Sequence, residues 1–274
     1  MEIYELFRKT MPTTIRSEEA VKKALSDPDN HIITHKKNNI TVGTAVINKN
    51  TIYLLCVDES FQNRGIGTFL LEESEKYIRK SGFNNAIIGA GKEYITPGVP
   101  MPQKPFFEKR GYIHSWGDAC CYDMSQTLAD FRYDAHKIGD SINGITYRWA
   151  TPADQAEIMT CVKAAHENFI PYYADTKALI LIAEKDDEIV GTLQVSIEIE
   201  GKGIGCVGCT TTKPSCQGQG IATTMVQLGT KHLKDVGLPT AFLGYTYTSI
   251  VKMYEKSGYK TSAEYFMASK VLGS

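Results

Sequence analysis

The sequence predicts two consecutive copies of one mixed α/β domain, and three observations carry that prediction. Val42-Gly43 recurs as Val190-Gly191, 148 residues later. Gln62-Asn-Arg-Gly-Ile-Gly67 recurs as Gln217-Gly-Gln-Gly-Ile-Ala222 at an offset of 155. Phe107-Glu-Lys-Arg-Gly-Tyr112 recurs as Tyr254-Glu-Lys-Ser-Gly-Tyr259 at an offset of 147. Three pairs in one order at nearly constant spacing mark an internal duplication. The drift in offset places extra residues before the glycine loop of the second copy and after that of the first. At 274 residues the chain has room for two domains of ordinary size. The expected boundaries are 1–129 for the first domain, 130–143 for a polar linker and 144–274 for the second.

Each copy opens on a helix, over 18–25 in the first and 152–165 in the second. Thr151-Pro152 supplies an N-cap and a proline at the first helical position. Apolar, strand-like runs follow at 40–47 and 51–57, matched by 178–183, 189–198 and 204–211. A glycine loop then leads into a helix, over 68–80 with Leu70, Leu71 and Tyr77 on one face, or over 223–234 with Met225, Val226 and Leu233. Both helices meet a glycine, Gly82 or Gly237, as a C-terminal stop requires. A further strand at 86–89 or 241–244 and the Glu-Lys-x-Gly-Tyr helix end complete each unit.

Composition narrows the function. Hydrophobic residues at 42% and charged residues at 22% supply an ordinary globular core. Thirty basic against 31 acidic residues leave a formal net charge of -1, with no cationic excess for nucleic acid or an anionic membrane surface. Met1-Glu2-Ile3-Tyr4-Glu5 lacks the basic start of a signal peptide. No apolar run approaches the roughly 18 residues of a membrane span. A cytoplasmic protein without nucleic-acid or membrane partners is expected. Seven cysteines in that setting read as reduced thiols. Cys206-Val-Gly-Cys209 has metal-ligand spacing and Cys216 lies close by, but a structural zinc takes four ligands, usually as two such pairs, and no second pair exists. The segment 203–209 reads better as a glycine-rich buried strand, Cys120-Cys121 as packing, and no metal is expected.

A strand running into Gln-x-x-Gly-x-Gly/Ala and then a helix is an anion-binding arrangement. Successive amides point into the loop, the helix N-terminus adds partial positive charge, and glycine lets a pyrophosphate approach the backbone. A dinucleotide-binding start fits less well, because Gln62-x-x-Gly65 replaces Gly-x-Gly and no βαβ unit opens there.

Val57-Asp-Glu-Ser-Phe-Gln-Asn-Arg-Gly-Ile-Gly67 resembles the acetyl-CoA motif of the GCN5-related N-acetyltransferases (GNAT). Thr212-Lys-Pro-Ser-Cys-Gln-Gly-Gln-Gly-Ile-Ala222 is similar to it, and both Glu-Lys-x-Gly-Tyr segments match that family's closing helix. The resemblance covers both halves. It implies two GNAT folds, each a twisted mixed sheet flanked by helices, with acetyl-CoA as co-substrate and direct attack by an amine. By this resemblance Cys56, Val57, Asn63, Arg64, Gly65, Ile66, Gly67 and Thr68 line the cofactor in the first copy. Thr211, Thr212, Gln217, Gly218, Gln219, Gly220, Ile221, Ala222 and Thr223 do so in the second. It also implies a strand bulge whose amide, at Val57 or Thr212, meets the thioester carbonyl.

Attack on a thioester needs a neutral amine, a polarised carbonyl and an acid for the leaving thiolate. The family's usual acid is a tyrosine four residues before the final glycine. Tyr254 holds that place in the second copy. Phe107 holds it in the first and cannot donate a proton, so the first domain either binds acetyl-CoA as a scaffold or uses another donor, such as Tyr94 or water. His166 and Glu167 are candidate bases in the segment expected over the acceptor site, and Asp118 and Asp123 in the first domain. Each also reads as a solvated residue.

The stiff excursion Tyr94-Ile-Thr-Pro-Gly-Val-Pro100-Met-Pro reads equally as an acceptor-shaping loop and as a spacer. With the tandem layout, it resembles clostridial-type glucosamine/glucosaminide N-acetyltransferases. That resemblance implies a small-molecule amino-sugar or oligosaccharide acceptor, from free glucosamine to cell-wall or chitosan fragments. Tyr172-Tyr173, Trp149 and Trp116 offer aromatic faces of the kind that stack on pyranose rings. An amine beside hydroxyls and an anomeric carbon is less basic than the lysine reference of about 10.4, so a weak base suffices. Another amine acceptor (aminoglycoside, polyamine or protein N-terminus) and a non-catalytic acyl-CoA sensor stay open, as does the oligomeric state.

Overall fold

A computed structural model describes residues 2–11, 18–89, 95, 97–114, 120–132, 141–142, 144–174, 176–197 and 203–273. In chain order the first copy contributes α1 (Ile3–Thr10), α2 (Glu18–Leu25), β1 (Asn30–Lys37), β2 (Ile40–Asn48), β3 (Thr51–Val57), α3 (Ile66–Lys80), β4 (Asn85–Ile88), β5 (Val99–Pro100), α4 (Lys104–Glu108), β6 (Ile113–His114) and β7 (Cys120–Thr127). The second contributes β8 (Ser141–Ile142), β9 (Ile145–Trp149), α5 (Gln155–His166), α6 (Ile170–Ala174), β10 (Leu179–Lys185), β11 (Glu188–Ser196), β12 (Ile204–Thr212), α7 (Ile221–Asp235), β13 (Thr240–Tyr247), α8 (Thr248–Glu255), β14 (Lys260–Phe266) and β15 (Ala268–Val271). Among the described residues no helix is long and apolar enough to cross a membrane.

The chain forms two compact units. One is Met1–Tyr122 with Ala263–Ser274, and the other is Asp123–Ser262. The copies are contiguous in sequence but the units are not: β7 and β14 each pass from one unit to the other. The compact units thus do not follow the expected boundaries 1–129 and 144–274, and the tail from Ala263 onward supplies a strand to the first unit.

In the first unit the sheet order is β1-β2-β3-β4-β15-β6. Neighbours are antiparallel except β3 and β4, which are parallel. β2 is buried on both faces because Ala45 and Ile47 meet Leu70 and Ile78 of α3, while Val46 meets Leu6, Phe7 and Val21 of α1 and α2. β15 fills the edge of β4, with Ala268 to Val271 opposite Ile88 to Asn85. Its Lys270 reaches Glu75 on α3 at 2.9 Å, a carboxylate that also accepts from the Tyr112 hydroxyl.

In the second unit the order runs β14-β7-β13-β12-β11-β10-β9-β8, with β12 and β13 parallel. One face carries α5 and α6 through Ile158, Val162 and Tyr173, packed with Ile182 and Ile189. α7 buries Met225, Val226 and Leu233.

The repeated motifs have local causes. Val42 and Val190 accept the amide that ends the following strand, Asp58 N–H at 2.9 Å and Lys213 N–H at 2.8 Å. The glycines beside them let the loop helix approach: a Cβ at Gly43 would lie 2.9 Å from Ile66 Cγ2, and one at Gly191 2.9 Å from Met225 Cε and 3.1 Å from the Thr211 carbonyl. Glu-Lys-x-Gly-Tyr is a helix stop. Gly111 and Gly258 adopt φ of 85° and 91°, and the following Tyr112 and Tyr259 amides donate back to the Phe107 and Tyr254 carbonyls at 3.2 Å. Both tyrosine side chains are fully buried behind the stop. The N-cap expected at Thr151 is present as a reciprocal box with Asp154. The expected helix over 152–165 begins as a 3-10 turn, and α5 proper starts at Gln155.

Candidate active site

Both glycine loops take the same backbone course. Asn63 and Gly65 have φ of 59° and 83°, and Gly218 and Gly220 have 76° and 81°. Left-handed residues alternating with their neighbours turn successive amides toward one side, which makes an anion nest. The helices that follow, α3 and α7, have Gly65 and Gly220 as N-caps, so no capping side chain occupies their first amides. A Cβ at Gly65, Gly218 or Gly220 would meet nothing within 4 Å, so the space over each loop is open and glycine is there for its φ.

The motif glutamine has a different task. Gln62 Nε2 donates to the Val57 carbonyl at 3.0 Å, and Gln217 Nε2 to the Thr212 carbonyl at 3.3 Å, tying each loop to its strand end. Of the residues the resemblance implied, Asn63, Arg64, Gly65 and Gln217, Gly218, Gln219, Gly220 are exposed on the loops. Gly67, Thr68, Thr212, Ala222 and Thr223 are half-buried at the helix starts and the second strand end. Cys56, Val57, Ile66, Thr211 and Ile221 are core side chains. Burial pushes the Cys56 thiol up to about 12.

The structure also shows a residue that sequence reading missed. Arg110, the variable position of the first helix stop, donates to Thr68 Oγ1 at 2.7 Å and stacks on Phe106 at 3.8 Å. It sets a cation at the start of α3, and its counterpart in the second copy is Ser257. Phe106 in turn lies against Gly67, 3.4 Å from where a Cβ would stand.

The strands before the loops differ between the copies. In the second, Thr192 opposes Thr211 and Gln194 opposes Gly208, so Cys209 and Thr210 together face Leu193. This is a bulge, and Cys209 adopts φ of 47° there. It lies upstream of Thr212, which remains in register with Gly191. In the first copy Val57, Cys56 and Leu55 keep regular register with Gly43, Thr44 and Ala45, and the ladder slips only at Tyr53. The bulge expected at Val57 or Thr212 is therefore corrected to Cys209–Thr210, in the second unit. There β12 and β13 share a ladder only over Ile204 to Cys206, which leaves their loop-ward halves without one.

Tyr254 on α8 sits at this opening. Its ring is buried, and its hydroxyl lies 3.4 Å from Thr210 Oγ1 on the bulge. Burial raises its pKa above the ordinary tyrosine value, with Thr210 and Thr246 partly opposing the shift. Phe107, in the corresponding place on α4, is buried against Phe106 and Tyr112.

Other sequence candidates fall elsewhere. His166 and Glu167 are exposed at the end of α5, with His166 stacked on Phe169 at 4.2 Å. Asp123 belongs to the second unit, where it accepts from the Tyr245 amide at 3.2 Å. Tyr94, Trp116 and Asp118 lie outside the described residues. Trp149 and Tyr172 are partly exposed, but Tyr173 is buried and offers no platform to a sugar. Cys206 and Cys209 lie on β12 as expected of a strand, and burial lifts the Cys209 thiol to about 11. Among the described residues no cluster of His, Cys, Asp or Glu could hold a metal ion.

Comparison with known proteins agrees with this geometry. Residues 4–126 match the model of an acetyltransferase (GNAT) domain, and residues 145–259 match that of the acetyltransferase (GNAT) family. The chain carries two GNAT acetyltransferase domains in tandem. Acetyl-CoA is that family's co-substrate. A mycothiol acetyltransferase of Streptomyces avermitilis is 33% identical over 82 residues, which are 29% of this chain and 26% of that protein, so the match spans about a quarter of the relative. The fold is shared with a GCN5-related glucosamine N-acetyltransferase region of a fungal multi-domain GH3 beta-N-acetylglucosaminidase, at a TM-score of 0.79 and 17% identity over 97% of this chain and 36% of that one. It is shared too with a tandem GNAT protein from the clavulanic acid biosynthesis pathway, at a TM-score of 0.67 and 14% identity over 99% and 94% of the two chains.

Proposed function

We propose that this chain is an acetyl-CoA-dependent N-acetyltransferase of the cytoplasm. Its second unit performs the transfer, and its acceptor is the free amine of glucosamine or a glucosaminide. The observation that carries the reading is the meeting of bulge and tyrosine: the Tyr254 hydroxyl stands beside Thr210, where β12 and β13 no longer share a ladder.

The residues divide the work. The loop from Gln217 to Ala222 and the start of α7 hold the pyrophosphate. The bulge amide donates to the thioester carbonyl and stabilises the charge that develops there. The amine nitrogen forms the new bond to that carbon as the carbon–sulfur bond breaks. Tyr254 gives its proton to the departing thiolate, and the amine's surplus proton leaves to solvent. Raised by burial, the Tyr254 phenol stays protonated for this task. The first unit keeps its loop and adds Arg110, but has Phe107 and a regular strand where the second unit has an acid and a bulge. Within this proposal it binds acetyl-CoA without transferring.

The amino-sugar acceptor is supported by the resemblance of the tandem layout, by the glucosamine N-acetyltransferase region that shares the fold, and by the partly exposed side chain of Tyr172 in the second unit; Trp149 is partly exposed too, with its ring against His232 at 4.7 Å. The test is coenzyme A release from acetyl-CoA with glucosamine, chitobiose amine, an aminoglycoside and a lysine peptide in parallel, and N-acetylglucosamine as the blocked control. Turnover is expected with the free amino sugars alone. Silence on the sugars together with tight acetyl-CoA binding would sink the glucosamine reading.

A further inference from the structure

The bulge at Cys209 is held by a chain of buried hydroxyls that the transfer steps leave unused. Tyr173 of α6 donates to the Cys209 carbonyl at 2.7 Å, and Thr192 Oγ1 donates to the Tyr173 hydroxyl at 2.8 Å. Thr192 also meets Thr211 Oγ1 at 2.7 Å. Since the single Thr192 proton points at Tyr173, Thr211 is the donor in that last pair, and each hydroxyl polarises the next. All three side chains are buried. Gln155 Nε2 fixes the backbone of Tyr173 by donating to its carbonyl at 3.0 Å, which ties α6 to α5.

The geometry gives this chain a consequence. Cys209 carbonyl and Thr210 N–H belong to one planar peptide and point in opposite directions. A hydroxyl that holds the carbonyl on the α6 side therefore turns the Thr210 N–H to the other side of the strand. A left-handed, non-glycine residue such as Cys209 persists only where its surroundings over-determine it. In the first unit the same places are differently wired. Thr44, the counterpart of Thr192, donates to the Ile33 carbonyl at 3.0 Å, and Cys56 stands where Thr211 does. The bulge and the threonine pair before the loop occur together in the second unit, and the first unit has a regular register and Thr44 with Cys56 at those places.

We infer that Tyr173 is a positioning residue for acetyl transfer, its hydroxyl fixing the Cys209–Thr210 peptide so that the Thr210 amide is aimed at the thioester carbonyl. This rests on the reading of the second unit as the transferring one. Its role is not chemical: burial holds Tyr173 well above the ordinary tyrosine pKa, so it remains a neutral donor.

The experiment is Tyr173→Phe in the full chain, assayed by coenzyme A release with the acceptor that the panel identifies. kcat is expected to fall about 100-fold, as when one preorganised donor is lost. Competitive inhibition by S-ethyl-CoA, which keeps the nucleotide and pantetheine but has no carbonyl, is expected to stay within about twofold, because the loop is untouched. Thr192→Val, which removes the middle hydroxyl, is expected to act in the same direction by about tenfold and carries the test if Tyr173→Phe does not fold. An unchanged kcat, or S-ethyl-CoA binding weakened in parallel with kcat, would overturn the inference. Tyr254→Phe assayed alongside separates the readings. Full activity there with loss in Tyr173→Phe removes the acid assignment and keeps the positioning role, and the reverse pattern removes the positioning role alone.

Discussion

Tyr254 and Phe107 end corresponding helices, are 5% and 4% exposed, and differ by one oxygen. Burial is what makes that oxygen useful. A phenol whose charged form is disfavoured stays protonated past its ordinary pKa of about 10, so the acid is present across the working range. The acceptor amine runs the other way, gaining its neutral, attacking form as pH rises. The second unit's kcat/KM is therefore expected to rise through the amine's pKa and to hold a plateau with no alkaline descent below about pH 10. Tyr254→Phe is expected to lower kcat about 100-fold or more while leaving S-ethyl-CoA inhibition intact. A pH–rate profile for both proteins checks this. An alkaline limb centred near pH 8 or 9 in the parent would mean that the acid is another group.

At the scale of elements, the sequence made legible what depends on local backbone. The glycine loops, the helix stops at Gly82 and Gly237, the Thr151 cap and the strands β2, β3, β11 and β12 rest on positive φ or short periodicity, and all are where the pattern puts them. β1 was missed because it lies at a sheet edge and carries His31, His35, Lys36 and Lys37. β7 and β15 were missed because their partners belong to the other copy's sequence, beyond the reach of any window. The bulge falls away from its expected place because Cys209 takes a left-handed turn without a glycine to announce it, and Tyr173 stands among the expected sugar-stacking faces because spacing does not say which face of α6 is covered. The repeated Val-Gly was visible as a repeat but not as a contact. Its glycine is needed for room: in Gly191→Ala the new methyl would meet the Thr211 carbonyl, which cannot swing aside as a side chain can. That substitution is expected to cost about 1–3 kcal/mol, read as a lower denaturant midpoint for the second unit. An unshifted midpoint would show that the β12 backbone at Thr211 gives way to the methyl without cost.

For the whole molecule, the exchange of strands makes the two copies depend on each other's sequence. β4 is a short strand in the middle of its sheet, and it is completed by Ala268 to Val271, almost two hundred residues away. The same tail delivers Lys270 to Glu75, Phe266 and Leu272 to the core that contains Leu71 and Ile88, and Tyr265 and Phe266 to the edge of β5. A fragment cut where the repeat suggests, residues 1–129, would keep β7 but lose all of this. It would expose the β4 edge, leave the Glu75 carboxylate without its cation and open the core at Phe266. Such a fragment is expected to melt without a cooperative transition. Residues 1–122 joined through a flexible Gly-Ser linker to 263–274 hold every strand of the first unit's sheet, and that protein is expected to recover a single sigmoidal melt by near-UV circular dichroism. If 1–129 alone melts cooperatively, β7 can take the place of β15, and each copy is then a self-sufficient fold whose exchange in the intact chain is one of two available pairings.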